Sequence, residues 1–421
     1  MRNEIVVALV MFLISIGGSV ATRNDKKWSV FFLFLASVAG SLAAGMGIRF
    51  REIVEGPFGF LDSMLCVCCA SVLVATLDRS GAFSFLFDRI CGIKNRTLKA
   101  FAVLLFIALP AMLTGFASSS LLTTGQLVKK GCYKGADSRK MHLVVCVGAF
   151  IGVILPPTCI PAMIAANGAG SVLPTPYAGF FLPLLAAGLP AFIVYALVNR
   201  KELSSVESGE KADSKGALPS LIVLTVTCIA VIIDGVFSNI LYLGGNTLVF
   251  FIASLIVIGA SRGFGSIKST YETVSDGVMN AVVPMAIVFA LGSFIEVSSM
   301  TGVRGLYSLW ILPYDVVPVM LVLMAAALVI GYFLSTPIPA FLITYAVFPI
   351  GWLANTVTVT GLAMALAVVA LITRNGGIVN CRENSLKSSD VLKEVWLPVA
   401  LVLAVGVIFV IFGDSMTFLI R

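Results

Sequence analysis

Residues 100–128 read AFAVLLFIALPAMLTGFASSSLLTTGQLV, without a single charge. As one helix this stretch would be about 43 Å long at 1.5 Å per residue, whereas the hydrocarbon core of a bilayer is about 30 Å thick. Basic segments flank it on both sides. Arg79, Arg89, Lys94, Arg96 and Lys99 come before or at its start; Lys129, Lys130, Lys134, Arg139 and Lys140 come after it. Basic loops stay on the cytoplasmic face, so a single crossing would end on the wrong side. Splitting the stretch at TGFASSSLLTTG (114–125) gives two half-helices that enter and return on one face. Such a re-entrant hairpin survives only where protein or a water-filled cavity satisfies the backbone at its tip.

The rest of the chain supplies a membrane context. Of 421 residues, 59% are apolar and 12% charged, about half the usual charge of a soluble protein. Too few polar side chains remain to cover a soluble surface, so disorder, a disulfide scaffold and a soluble enzyme are excluded. Apolar runs of spanning length occur at 4–20, 28–48, 57–77, 141–167, 177–199, 217–235, 242–260, 277–297, 356–380 and 395–413. Mixed segments 78–98 and 262–276 read as amphipathic helices along the interface. On this map 22 of the 28 basic residues fall on the cytoplasmic face, and both termini face out. Arg2 before an apolar run ending in Ser19-Val20-Ala21 also has the form of a cleavable signal. The repeat described next needs this run as a span. The net charge of +7 is spread over short loops, which fits topology and not a nucleic-acid partner.

Residues 316–352 mirror the first odd stretch on the opposite face, since no basic residue lies between Arg304 and Arg374. GYFLSTPIP (331–339) is the expected break. Each half then holds three spans, a hairpin and two more spans, and five crossings invert the second half. The expected fold is an all-α polytopic membrane protein of two inverted repeats, about ten spans plus two hairpins. Residues 1–200 form the first repeat, 201–216 a cytoplasmic linker, and 217–421 the second repeat. Gly115 to Ser120 aligns ungapped with Gly331 to Thr336 at an offset of 216, and VILPPTCIP (153–161) falls near LITRNGGIV (371–379). Inverted repeats with interrupted helices near the midplane are the architecture of secondary transporters.

Unwound backbone offers carbonyls to a cation, and half-helix N-termini offer N–H groups to an anion. Ser118, Ser119, Ser120, Ser335 and Thr336 are the expected hydroxyl contacts to substrate, with Arg374 and Asn375 holding an anion. The ion-binding candidates are Gly115, Ser119, Pro157, Thr158, Gly331, Ser335, Thr373 and Gly376. Arg374 is the sharpest of these, because an intramembrane charge is costly and marks function by default. The competing reading is a span that ends early and lets Arg374 snorkel. Cys66, Cys68 and Cys69 lie mid-span with no His or carboxylate to complete a metal site, and read as small hydrophobes. His142, the only histidine, reads as a headgroup contact. Asp62, Asp234 and Glu296 read as interfacial.

The runs GFASSSLLTTGQLVKKGCYKGADSRK (115–140) and GAFIGVILPPTCIPAMIAANGAGS (148–171) resemble the large permease subunit of TRAP, tripartite ATP-independent periplasmic, transporters. The resemblance rests on the small-residue tip Gly115 to Ser120, on Lys130-Gly131-Cys132-Tyr133, and on Pro156-Pro157. It implies an ion-coupled, usually sodium-driven importer of carboxylates such as C4-dicarboxylates in the inner membrane, working as an elevator. It also implies a small membrane subunit and a soluble substrate-binding protein as partners. Ser335 stands where the family often has an acid, and Arg374-Asn375 where it often repeats Pro-Pro. A sodium site, or sodium coupling itself, is therefore open. No cofactor is expected beyond sodium as coupling ion. A self-sufficient carboxylate symporter or ion antiporter of the same superfamily is the alternative. An intramembrane enzyme is more distant, since neither H-E-x-x-H nor G-x-S-x-G nor a P-loop occurs.

Overall fold

The structure, a computed structural model, describes residues 2–22, 26–131, 138–166, 177–207, 214–237, 245–261, 264–333, 355–372 and 388–420. All regular elements among them are helical. The first half runs α1 (Arg2–Ala21), α2 (Lys26–Ala43), α3 (Phe50–Phe58), α4 (Leu61–Arg79), α5 (Ala82–Cys91) and α6 (Arg96–Thr114). It continues through α7 (Ala117–Leu122), α8 (Thr124–Gly131), α9 (Ser138–Ile154), α10 (Ile160–Ala166), α11 (Phe181–Val198) and α12 (Arg200–Ser204). The second half comprises α13 (Ser214–Phe237), α14 (Gly245–Ala260), α15 (Ile267–Met300), α16 (Val303–Ile311), α17 (Val316–Phe333), α18 (Thr356–Ile372) and α19 (Ser388–Phe412).

Among the described residues, 7 helices are long and apolar enough to cross a membrane, and five shorter apolar helices join them. The twelve coincide with the ten expected spans and the leading arms of the two expected hairpins. The protein is an all-α polytopic membrane protein. Four helix starts recur at a displacement of 217 to 221 residues: α3 with α15, α5 with α16, α6 with α17 and α9 with α18.

Two expectations change, and one short helix is new. Segment 262–276 is not a separate interfacial helix: from Ile267 it continues into α15, a helix of 34 residues. At about 1.5 Å per residue this exceeds the bilayer core by some 20 Å, which leaves its first turns beyond the apolar layer. The 28–48 span stops at Ala43, and the short α3 fills the gap before α4. A second short helix, α16, occupies in the second half the place of α5 in the first. Both α5 and α16 start after a left-handed glycine, Gly81 (φ 76°) and Gly302 (φ 78°), a conformation that a side chain would strain.

The closest packing falls in two groups of helices, which meet where α4 lies on α6. In one, α15 lies along α2, α3 and α4, with α14 against α4 and α1 against α2. Ser71 donates to the Gly277 carbonyl (2.7 Å) and Ser293 to that of Ile53 (2.7 Å). A Cβ on Gly56 would lie 2.5 Å from the Gly292 carbonyl oxygen. Small residues and hydroxyls thus hold backbones close, as lipid-embedded helices require in the absence of a hydrophobic drive. In the other group α9 packs on α6 and α11, α18 on α17 and α19, and α11 on α19.

Candidate functional site

The 100–128 stretch folds back on itself. Asn95 starts α6 by accepting from the amides of Thr97 (3.0 Å) and Leu98 (3.3 Å), which satisfies donors that a helix start leaves free. Gly115 ends it in the left-handed conformation, φ 76°, and its amide bonds the Ala111 carbonyl at 2.8 Å, a C-terminal cap that favours glycine. Beyond it, α7 and α8 return along α6. Ser120 Oγ accepts from the Ala111 amide (2.9 Å), and Thr124 Oγ1 donates to the Ile107 carbonyl (3.4 Å). Both pairs share one midpoint, between Gly115 and Phe116. Two hydroxyls of the returning arm therefore close the hairpin on α6 backbone beside Pro110, which has no N–H of its own to give.

The expected broken span is broken. Helix α9 ends at Ile154, the chain unwinds through Leu155–Cys159, and α10 begins at Ile160. The amides freed by the break find protein partners: Thr158 N–H donates to the Met112 carbonyl (3.2 Å) and Cys159 N–H to the Tyr177 hydroxyl (2.7 Å). The first of these ties the break to α6 one turn below the hairpin tip. The tip itself rests on the break, since a Cβ on Gly115 would meet Ile160 Cγ1 at 2.9 Å and Thr158 Cγ2 at 3.0 Å. Helix α10 then packs on α18, so the first break lies against the second half.

The sequence-derived candidates divide accordingly. Gly115, Pro157 and Thr158 are brought together and buried. Ser118 is exposed at the tip, and Ser119 is buried. Ser120 is buried and its hydroxyl is committed to hairpin closure. The Thr158 hydroxyl is buried with no hydrogen-bond partner among the described residues. Gly331 differs from the expected hairpin tip: it lies inside α17 and makes room for Val369 of α18. Ser335, Thr336, Thr373, Arg374, Asn375 and Gly376 lie outside the described residues.

Sequence reasoning missed three further features. His142 is not a headgroup contact. It is buried in α9, with Nε2 3.6 Å from Cys146 Sγ one turn on. Asn355 caps α18, accepting from the Thr358 amide (2.9 Å) and hydroxyl (3.1 Å) while donating to Asp414 (2.8 Å). Asn before the alternating NTVTVTG was the available signal. Third, α12 straps the hairpin body at one membrane face: Glu202 pairs with Lys140 of α9, and Arg200 donates to Thr97 of α6 (3.2 Å). Burial pushes the Glu202 carboxyl up, but the hydrogen bond from Lys140 and the nearby positive charges hold it below the usual carboxylate value.

No protein-family model matches the sequence, and no curated protein matches it. Among solved structures the fold is similar to the YdaH transporter of Alcanivorax borkumensis, whose crystal structure is described as revealing an unusual topology. The TM-score is 0.68 at 11% identity, over 94% of this chain and 100% of that one. At such low identity the likeness is one of fold alone.

Proposed function

We propose that the protein is a secondary active transporter of the inner membrane. It imports a small organic anion, a carboxylate of the C4-dicarboxylate kind, coupled to an ion gradient with sodium as the expected ion. One observation carries this reading: the tip of the hairpin at Gly115 rests on the unwound segment at Thr158 within a transporter fold. Irregular backbone at membrane depth is tolerated where it lines a site. In this account the two repeats are inverted and the chain acts by transport, not catalysis. Ser118, Ser119, Ser335, Thr336, Arg374 and Asn375 meet the anion. Carbonyls near Gly115, Pro157 and Gly376 meet the cation, as do the hydroxyls of Thr158 and Thr373. The body of α6 to α12 with α17 to α19 carries the site as an elevator against the body of α1 to α4 with α13 to α15. A small membrane subunit and a soluble binding protein would complete a TRAP-like system. A self-sufficient symporter or antiporter is the second reading, favoured by Ser335 and Arg374-Asn375 standing where the TRAP family often has an acid and Pro-Pro.

The test is thermal stability of the purified protein across a panel of carboxylates, each with and without sodium. Bound ligand raises the melting temperature by mass action. A shift for one carboxylate that vanishes in both Ser118→Ala and Arg374→Ala supports the reading. A shift that survives both variants moves the site elsewhere.

A further inference from the structure

The corner where α4 gives way to α5 and α6 has a chemistry the transport reading does not use. Arg79 ends α4, Arg89 lies on α5, and Lys94 and Arg96 bracket the start of α6; all four are exposed. Among the described residues, none of the four has a carboxylate within ion-pair distance. Arg79 instead donates to the Ser269 hydroxyl (3.3 Å), which draws the first turns of α15 to this corner. The Arg89 guanidinium sits 5.0 Å over the Phe85 ring. The apolar face of α5 is spent on protein, with Phe83 and Phe87 packed on Phe106 of α6, so its outer edge is left to the charges. Beside them α15 projects Ile267 and Tyr271, 91% and 72% exposed. Since α4 and α6 are membrane-length helices that end and begin here, the corner sits at headgroup level.

The equivalent corner in the second half is built differently. There α16 shows Tyr307 packed edge-on against Trp310 at 5.4 Å, with Leu309 and Leu312 exposed and Arg304 its only base. The same element in the repeat is aromatic on one membrane face and cationic on the other. A cluster of bases with no carboxylate partner among the described residues, beside exposed apolar side chains at the interface, complements a phosphate with acyl chains attached.

We propose that the corner of Arg79, Arg89, Lys94 and Arg96, with Tyr271 alongside, binds the headgroup of an anionic phospholipid. The experiment is thermal stability of the purified protein on adding phosphatidylglycerol or phosphatidylcholine of identical acyl chains. Binding should be on the order of tenfold tighter for the anionic lipid, a preference that weakens as salt is raised. The triple variant R79Q/R89Q/R96Q should lose that preference while keeping the response to phosphatidylcholine. R49Q/R51Q, which alters arginines already paired with Glu52 and Glu55, should retain it. If the triple variant does not fold, the salt dependence measured on the wild-type protein decides. Equal shifts for both lipids, a preference insensitive to salt, a preference that survives in the triple variant, or an equal shift from soluble glycerol phosphate would each overturn the proposal.

Discussion

Helices α6 and α9 in the first half have the same place in the helix order as α17 and α18 in the second, yet the two pairs come together by opposite means. In the first pair the small residues are on the span: Gly148 and Gly152 of α9 admit Ile107, Ala108 and Ala111 of α6. In the second pair the small residue is on α17, where Gly331 admits Val369 of α18. At Gly152 the first pair meets backbone to backbone, whereas at Gly331 the second meets backbone to side chain. Close approach of the two helices is therefore common to both halves, while the residue that permits it is not.

That difference sets an order of sensitivity. Gly152→Ala should have the largest effect. The new Cβ would fall on the Ala108 carbonyl and 2.9 Å from Ala111 Cβ, atoms that cannot swing aside. A loss of about 3 kcal/mol is expected from overpacking, read as a lower denaturant midpoint in detergent. Gly115→Ala should cost about 2 kcal/mol, from left-handed strain plus contact with Thr158 and Ile160. Gly81→Ala has the same positive φ but open space around it, so it should cost only about 1 kcal/mol. The gap between these two variants isolates the contact of tip and break, and equal costs would remove it. Ser120→Ala should cost about 1 kcal/mol by leaving the Ala111 amide without its partner. Ser118→Ala, at an exposed site, should stay within about 0.5 kcal/mol.

Gly331→Ala should cost about 1 kcal/mol, because the Val369 methyl groups it meets belong to a side chain. Adding Val369→Ala should restore most of that, and a double-mutant cycle with no coupling would contradict the pairing. The smallest effect concerns Glu202. Its carboxyl is depressed when folded, so the Lys140 pair contributes above the unfolded value of 4.5. The contribution is lost as pH falls through the lower folded value. Glu202→Gln should therefore lower stability by about 0.5 kcal/mol at pH 7 and by less at a pH below its folded value. A loss of equal size at both pH values would show that the pair contributes nothing through charge.

The fold was legible because bilayer thickness and loop charge act over long stretches, and few residues can disguise them. Residues 100–128 were too long and too evenly flanked by bases to cross once. Pro156-Pro157 marked the break for a local reason, since two successive prolines remove two N–H donors and crowd the preceding turn. What the sequence hid is choice among chemically similar neighbours. Ser118, Ser119 and Ser120 look alike as letters, yet helical rotation turns the first outward and commits the last to the Ala111 amide. Gly115 and Gly331 align without a gap, yet one ends a helix and the other lies within one. An ungapped register carries no information on where a helix stops. His142 looked interfacial beside Lys140, and only the packing of α9 on its neighbours buries it.

The most direct test is uptake into proteoliposomes of radiolabelled carboxylates, headed by succinate, under an inward sodium gradient. The soluble binding protein and small subunit would be supplied where the genome encodes them beside this chain. The wild-type protein should accumulate one carboxylate above its external concentration, Gly81→Ala should do so at a similar rate, and Gly115→Val should not. Accumulation that Gly115→Val leaves intact, or its absence for every carboxylate with all partners present, would contradict a site built where the hairpin tip meets the break.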